Sequence, residues 1–310
     1  APPHGEETGV LLSRADMALY AAKAAGKGQA LVFAPEMEAR VQERVRLEAE
    51  LRLALDAKHG LFVFYQPIVD AETGDVTARE ALVRWHHAQS GWISPAEFIP
   101  VSEQSGLIEQ LGAFVLMTAC REAAGWPHGE RIAVNISAGQ LGNGTLVPTV
   151  LAALISSGLS PDRLEIEVTE TALVSAQGAA IDDLRRLRDI GVRIALDDFG
   201  TGYSSLSHLQ IFPFDKIKID ASFVKNARPE SVAVIRALAD LGKRLGVTTV
   251  AEGVETQVQL DRIRAEGCQE VQGYLFGTPA PCEADRAIVT TLNQEKEQME
   301  SFSMQIPKLG

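Results

Sequence analysis

Two adjacent carboxylates, Asp197 and Asp198, follow the apolar residues Val192, Ile194, Ala195 and Leu196 and precede Gly200 and Gly202. Aliphatic and β-branched residues in such a run read as a buried strand. Neighbouring side chains on a strand point to opposite faces, so both acids reach one site only where the strand stops. Gly200 and Gly202 are expected to supply that break. A carboxylate pair at a strand end suits a divalent cation, because burying an unpaired charge is costly and the cation removes the cost. Taken alone, the pair is equally an acidic turn.

The other strand ends shift that balance. Seven of the chain's eight main short apolar runs carry a polar residue at or just past their C-terminal ends: Glu80, Asn135, Glu167, Asp197, Lys218, Glu252 and Gln272. Singly, each is an ordinary strand-end cap. Glu80, Asn135, Glu167 and Asp197 carry oxygen donors of the kind that hold Mg²⁺ or Mn²⁺. Asp197 can bridge to a second ion held with Asp198 and Glu252. Two ions roughly 4 Å apart form a clamp for displacement at a phosphodiester, one generating hydroxide and both neutralising charge. Lys218 adds a cation beside the attacking water, and Arg84, just beyond Glu80, suits a phosphate oxygen.

These residues need a scaffold that gathers strand ends on one face. The runs cover residues 61–69, 76–83, 131–136, 164–168, 192–196, 216–219, 248–251 and 270–276, mostly with helical stretches between them. Eight such runs predict an α/β fold, a TIM-like (β/α)₈ barrel whose active site lies at the C-terminal ends of its strands. Only residues 70–75 separate the first two runs, too few for a parallel crossover. The first strand is therefore expected to be antiparallel, joined to the second by a hairpin at Thr73-Gly74.

Ahead of the barrel, residues 35–58 form an amphipathic pattern with Val41, Val45, Leu47, Leu51 and Leu55, expected as a linker helix docked on the barrel. The predicted organisation is an N-terminal segment over 1–34, the linker over 35–58, the barrel over 59–291 and a polar tail over 292–310.

The chain has 310 residues, 46% of them hydrophobic, and a formal net charge of -12. It can bury a full core, and its acidity argues against long nucleic-acid polymers, which bind basic grooves. Cys120, Cys268 and Cys282 are too scattered for a disulfide framework or a zinc site. With no apolar run of about 18 residues, the module is expected in a reducing cytoplasm. Because the sequence starts at Ala1, it is expected to be a fragment, so membrane anchorage through a missing N-terminal part stays open.

Glu80-Ala81-Leu82-Val83-Arg84-Trp85 resembles the motif that names the EAL family of cyclic-di-GMP phosphodiesterases. The resemblance continues through Tyr65-Gln66-Pro67-Ile68, Ser94-Pro95-Ala96-Glu97-Phe98, Val134-Asn135-Ile136-Ser137 and Glu167-Val168-Thr169-Glu170. It extends to Asp197-Asp198-Phe199-Gly200-Thr201-Gly202, Lys218-Ile219-Asp220, Ala251-Glu252-Gly253-Val254-Glu255 and Gln272-Gly273-Tyr274. It implies Glu80, Asn135, Glu167 and Asp197 as ligands of a first metal. Asp198 and Glu252 then serve a second metal or its activated water, and Lys218 steers the nucleophile. It further implies Glu170 as the residue holding the loop after Asp198, and Gln66, Leu82, Arg84 and Gln272 as substrate contacts. A homodimer formed near residues 200–209 is implied as well. Ala221 stands where relatives often have arginine and Gly139 where many have a larger residue. The stretch 11–34, with Arg14-Ala15-Asp16 and Ala18-Leu19-Tyr20, resembles the end of a GGDEF domain, so cyclase or sensory domains are expected upstream.

The sequence therefore predicts a metal-dependent hydrolase of cyclic-di-GMP giving linear pGpG. The rivals are a receptor that captures the dinucleotide without turnover and a dimerising scaffold. Elsewhere, His86-His87 reads as a solvated pair, His128 and His208 as surface or packing residues, and Asp182-Asp183 as part of a charged solvent face. The glycines of Leu141-Gly142-Asn143-Gly144 read as a loop.

Overall fold

The computed structural model describes residues 7–24, 30–200, 212–226 and 228–305. Eight strands close a barrel: β1 (Leu61–Asp70), β2 (Val76–His87), β4 (Arg131–Asn135), β5 (Leu164–Thr169), β6 (Arg193–Phe199), β7 (Lys216–Ile219), β8 (Thr248–Ala251) and β9 (Glu270–Gln272). From β2 and β4 through β9 every neighbouring pair is parallel, whereas β1 runs antiparallel to both β2 and β9. The hairpin forms as the short connection requires. Gly74 adopts φ 79 and donates its N–H to the Asp70 carbonyl at 2.9 Å, while Asp70 Oδ1 accepts the Glu72 and Thr73 amides.

Two short strands extend the sheet, β3 (Gly91–Ile93) on β2 and β10 (Ala280–Pro281) on β1. Beyond Ala81, β2 leaves its parallel partner and continues as a β1–β2–β3 ribbon past the barrel. Among the helices are α1 (Thr8–Ala24), α2 (Pro35–Ala57), α3 (Pro95–Ser105), α4 (Ile108–Ala124), α5 (Leu146–Ser157) and α6 (Glu170–Asp189). They continue with α7 (Ala221–Lys225), α8 (Pro229–Leu245), α9 (Gln257–Ala265) and α10 (Glu283–Gln305).

The main core lies between strands and helices, where Ile132, Leu164, Ile166, Ile194, Ile217 and Ile219 are fully buried. A second cluster sits under the linker helix: Leu47 and Leu51 of α2 pack with Leu61, Trp85, Ile93 and Phe98. Val45, on another face of α2, is exposed.

Three expectations need correction. The polar stretch from Leu292, expected as a tail, continues α10 as far as Gln305, anchored upstream by buried Val289, and residues 306–310 lie outside the described residues. His86 and His87 are half-buried on the ribbon: His86 meets the Trp92 ring, and His87 Nδ1 accepts the Gln89 and Ser90 amides. Asp183 is buried and accepts the Gly142 amide at 2.8 Å, so only Asp182 belongs to the solvent face.

Candidate active site

Alternation along the strands sorts residues between the packed helices and the barrel interior. On β7, Ile217 and Ile219 belong to the helix-side core, which leaves Lys216 and Lys218 to the inside. The same alternation carries Glu165 and Glu167 inward from β5, and Ile68, Ala78 and Val250 form a small apolar cluster of their own. At the C-terminal end of the parallel strands, Lys218 gathers the acids. Its Nζ lies 2.7 Å from Glu252 Oε1, 3.1 Å from Glu167 Oε2, 3.2 Å from Asp197 Oδ1 and 3.5 Å from Glu80 Oε2.

Amides complete the cup. Asn135 Nδ2 donates to Glu80 Oε1 at 2.7 Å and Gln272 Nε2 donates to Glu80 Oε2 at 2.6 Å. Gln272 also reaches Gln66 Oε1 at 3.3 Å, so the antiparallel first strand contributes to the same site. Gly253, at φ 69, turns the chain directly after Glu252, and a Cβ there would meet Ala221 at 2.5 Å.

Asp197 and Asp198 share the site through a bulge ahead of the glycines; β6 then ends at Phe199, just before Gly200 at φ 101, and Gly202 lies outside the described residues. Asp198 itself takes the left-handed backbone, φ 54, and the β6–β7 register shifts between Leu196 and Phe199. Asp197 and Asp198 of β6 there oppose the single residue Lys218 of β7, a bulge that redirects one side chain. The strand then resumes, with Phe199 paired to Ile219. A non-glycine residue at positive φ is strained, and such strain concentrates at functional sites. The result is that Asp197, Asp198 and Glu252 each offer an oxygen within 4.8 Å of the others.

The electrostatics follow from four acids around one base. Burial works against the Lys218 ammonium, but Asp197, Glu167, Glu252 and Glu80 outweigh it and hold its pKa well above the usual lysine value. Burial would likewise raise Glu80, yet Lys218 and the Gln272 and Asn135 amides win and keep it low. For Glu167 burial prevails over Lys218, helped by the Glu80 and Asp197 charges, and its carboxyl is pushed well up. Burial pushes Glu252 up to about 8, with Lys218 opposing it and Asp197 and Glu80 adding to it. Asp198 is raised by burial and by Asp197.

This donor set fits a divalent cation. Five carboxylates face one ammonium, and among the described residues Glu167 Oε1 is buried with no hydrogen-bond partner. Hard oxygen ligands in that excess match Mg²⁺, Mn²⁺ or Ca²⁺.

The remaining expected residues stand close by. Leu82 and Arg84 pair with Phe64 and Phe62 on the ribbon face that also carries Glu80 and Gln66. Glu170 is buried in the first turn of α6, after the Thr169 cap; the loop it is expected to hold, and His208, lie outside the described residues.

The family model described as "EAL domain" matches residues 48–279. The chain belongs to the EAL domain family. An EAL relative, the cyclic di-GMP phosphodiesterase NbdA of Pseudomonas aeruginosa, is 41% identical over 290 residues, covering 91% of this chain and 37% of that protein. The solved EAL structure "PaMucR Phosphodiesterase, c-di-GMP complex" shares 40% identity at TM-score 0.73, covering 77% of this chain and 99% of the other. A second, the calcium/cy-diGMP complex of Klebsiella pneumoniae BlrP1, shares 30% identity at TM-score 0.64, covering 72% of this chain and 56% of the other. The chain spans under half the length of the curated relatives it matches. Among the described residues no helix is long and apolar enough to cross a membrane.

Reading the strand ends alone missed two features of this EAL barrel. Trp92 and Asn293 meet across 201 residues, a contact no local pattern announces. The buried charges Lys216, Glu165 and Glu270 were visible as charged residues inside apolar strands, a signal available from the sequence.

Proposed function

We propose that this chain is a metal-dependent phosphodiesterase module that hydrolyses cyclic-di-GMP to linear pGpG. The observation that carries this reading is the acid-rich cup at the barrel's C-terminal face, with Asp197, Asp198 and Glu252 within 4.8 Å of one another. Glu80, Asn135, Glu167 and Asp197 would hold one Mg²⁺ or Mn²⁺, and Asp198 with Glu252 a second. Cations bound there would lower the pKa of a coordinated water and neutralise phosphate charge.

The chain's own residues do the rest. Lys218, fixed by Glu167 and Asp197, presents an ammonium that stays charged throughout the working pH range and orients the attacking oxygen. Gln272 and Asn135 hold the Glu80 carboxylate in one rotamer. Arg84 offers a guanidinium to a phosphate oxygen, and Gln66, Leu82 and Gln272 line the substrate's approach. Attack at phosphorus breaks one ester bond of the ring, and the departing 3′ oxygen takes up a proton. Glu170 supports the segment after Asp198. A homodimer belongs to the same proposal, and sedimentation velocity of an active sample checks it.

Incubation with cyclic-di-GMP and Mn²⁺, followed by chromatography, should give pGpG. Excess EDTA should abolish the product and added Mn²⁺ restore it. Tight binding without turnover at any metal concentration would favour a receptor, and undiminished hydrolysis in EDTA would reject the metal mechanism.

A further inference from the structure

The ribbon beyond the barrel carries a cavity that the metal cup does not use. Its volume is about 380 Å³, and Phe64, Arg84, Trp92, Glu97 and Asn293 line it, within the range of roughly 300–1,000 Å³ typical of ligand sites. It lies on the catalytic side of the ribbon. Directly opposed residues share a face, and the pairs Gln66–Glu80, Phe64–Leu82, Phe62–Arg84 and His86–Trp92 run outward from the cup. Arg84 therefore stands four residues, roughly 13 Å, beyond Glu80 on one face.

The cavity's chemistry suits a planar heterocycle. Trp92 meets Phe64 edge-on, with centroids 5.7 Å apart, and the Arg84 guanidinium lies 5.6 Å from the Phe64 ring centre. The exposed Glu97 carboxylate at the rim can accept ring N–H groups. Aromatic walls with a few polar groups bind bases through stacking and edge hydrogen bonds.

Trp92 belongs to a three-residue edge strand, which leaves its ring dependent on other contacts. One of these is polar: indole Nε1–H donates to Asn293 Oδ1 at 2.8 Å. Asn293 comes from α10, outside the region matched by the family model. Its place is nevertheless fixed. β10, just ahead of α10, pairs Pro281 with Phe64, and Val289, one helical turn before Asn293, is buried.

We infer that Asn293 is a positioning residue for substrate binding: it fixes the Trp92 indole as the wall of the cavity that receives one base of the dinucleotide. This rests on the cyclic-di-GMP reading above. Without the acceptor only ring contacts with Phe62, Phe64 and His86 hold the indole, and none of them fixes its Nε1 edge, so the ring can tilt into the cavity and narrow it before any base arrives.

Steady-state kinetics of Asn293→Leu, Asn293→Asp and Trp92→Ala test this, with thermal melts to confirm that each folds. Asn293→Leu should raise KM roughly 5- to 10-fold, the range expected for one lost hydrogen bond, with kcat within about twofold. Asn293→Asp keeps an oxygen acceptor and should restore KM to within about twofold of the parent. The double variant Asn293→Leu/Trp92→Ala should be no worse than Trp92→Ala alone. A parent-like KM for Asn293→Leu, an Asp variant as damaged as the Leu variant, or additive effects would each overturn the inference alone. A parent protein that neither binds nor hydrolyses cyclic-di-GMP would bring down both readings.

Discussion

One four-residue strand carries two fully buried lysines with opposite surroundings. Lys216, 0% exposed, lies 2.7 Å from Glu165 and 2.9 Å from Glu270. Arg131 adds a contact to Glu270 at 2.8 Å, and Arg193 one to Glu165 at 3.7 Å. Two acids there meet three bases, so that end of the barrel is electrically complete. Lys218, 1% exposed and two residues on, faces Glu80, Glu167, Asp197 and Glu252. Desolvating ions is costly unless they are paired. The Lys216 end meets that cost internally, whereas the Lys218 end holds more carboxylates than its one ammonium can pair. In the absence of a cation the raised Glu167 and Glu252 carboxyls take up the excess as protons. The same residue type at the same depth is a staple in one layer and part of a reactive cup in the next.

The sharpest way to break this contrast is to remove each lysine in turn. Lys218→Ala should lower kcat about 10²- to 10³-fold, the size of a lost transition-state donor, with substrate affinity within a few-fold by calorimetry. Lys216→Met should instead destabilise the fold by about 3–5 kcal/mol in urea denaturation, because it strands Glu165 and Glu270 in the barrel. Its kcat, measured below the melting range, should stay near the parent value. Swapped outcomes, with stability lost at 218 and rate lost at 216, would dissolve the distinction.

Smaller effects sharpen it. Glu170→Ala should cost about tenfold in turnover and shift the metal requirement upward, whereas Glu167→Ala should be inactive at every metal concentration. Rates across a Mn²⁺ titration separate the two, and a parent-like Glu170→Ala would reduce that residue to a helix-start contact. The smallest effect is on pH. Glu252 is pushed up to about 8 in the folded, metal-free protein. Its carboxyl thus holds a proton more tightly when folded than when unfolded, near 4.5, and the associated stability is lost as pH rises toward 8. Melting temperature without metal should fall over that interval, and Mn²⁺, which binds the ionised carboxylate, should flatten the slope. A metal-free melting temperature that climbs from pH 5 to 8 would contradict the crowded cup.

Strand ends were the readable part of this molecule. A polar residue closing a short apolar run is local information, and Glu80, Asn135, Glu167, Asp197, Lys218, Glu252 and Gln272 all stood where such ends converge. The reversed first strand was equally legible, since residues 70–75 leave no room for a crossover. Asp198 was not: the sequence marks the glycines after it, and Gly200 does take positive φ, but the aspartate two residues earlier is left-handed as well, a backbone state its type permits without announcing. Asp183 sits in a helix that looks solvent-facing, yet its partner is an amide 41 residues away. The Trp92–Asn293 hydrogen bond is likewise fixed only by three-dimensional closure.

Closure has a temporal side. β1 enters the barrel through Ile68, Val69 and Asp70, which pair with Gln272, Val271 and Glu270, 200 or more residues later. Until the ribosome has released those last residues, a nascent chain has an open sheet with β1 bare along one edge, and Gln66 and Glu80 lack the amide that joins them. Contacts of such long sequence separation form slowly, and a bare edge invites pairing with other chains. The module therefore cannot acquire its catalytic cup by instalments during synthesis. Interruption anywhere before Gln272 yields a sticky half-barrel, and chaperone dependence should track how quickly the final hundred residues follow the first.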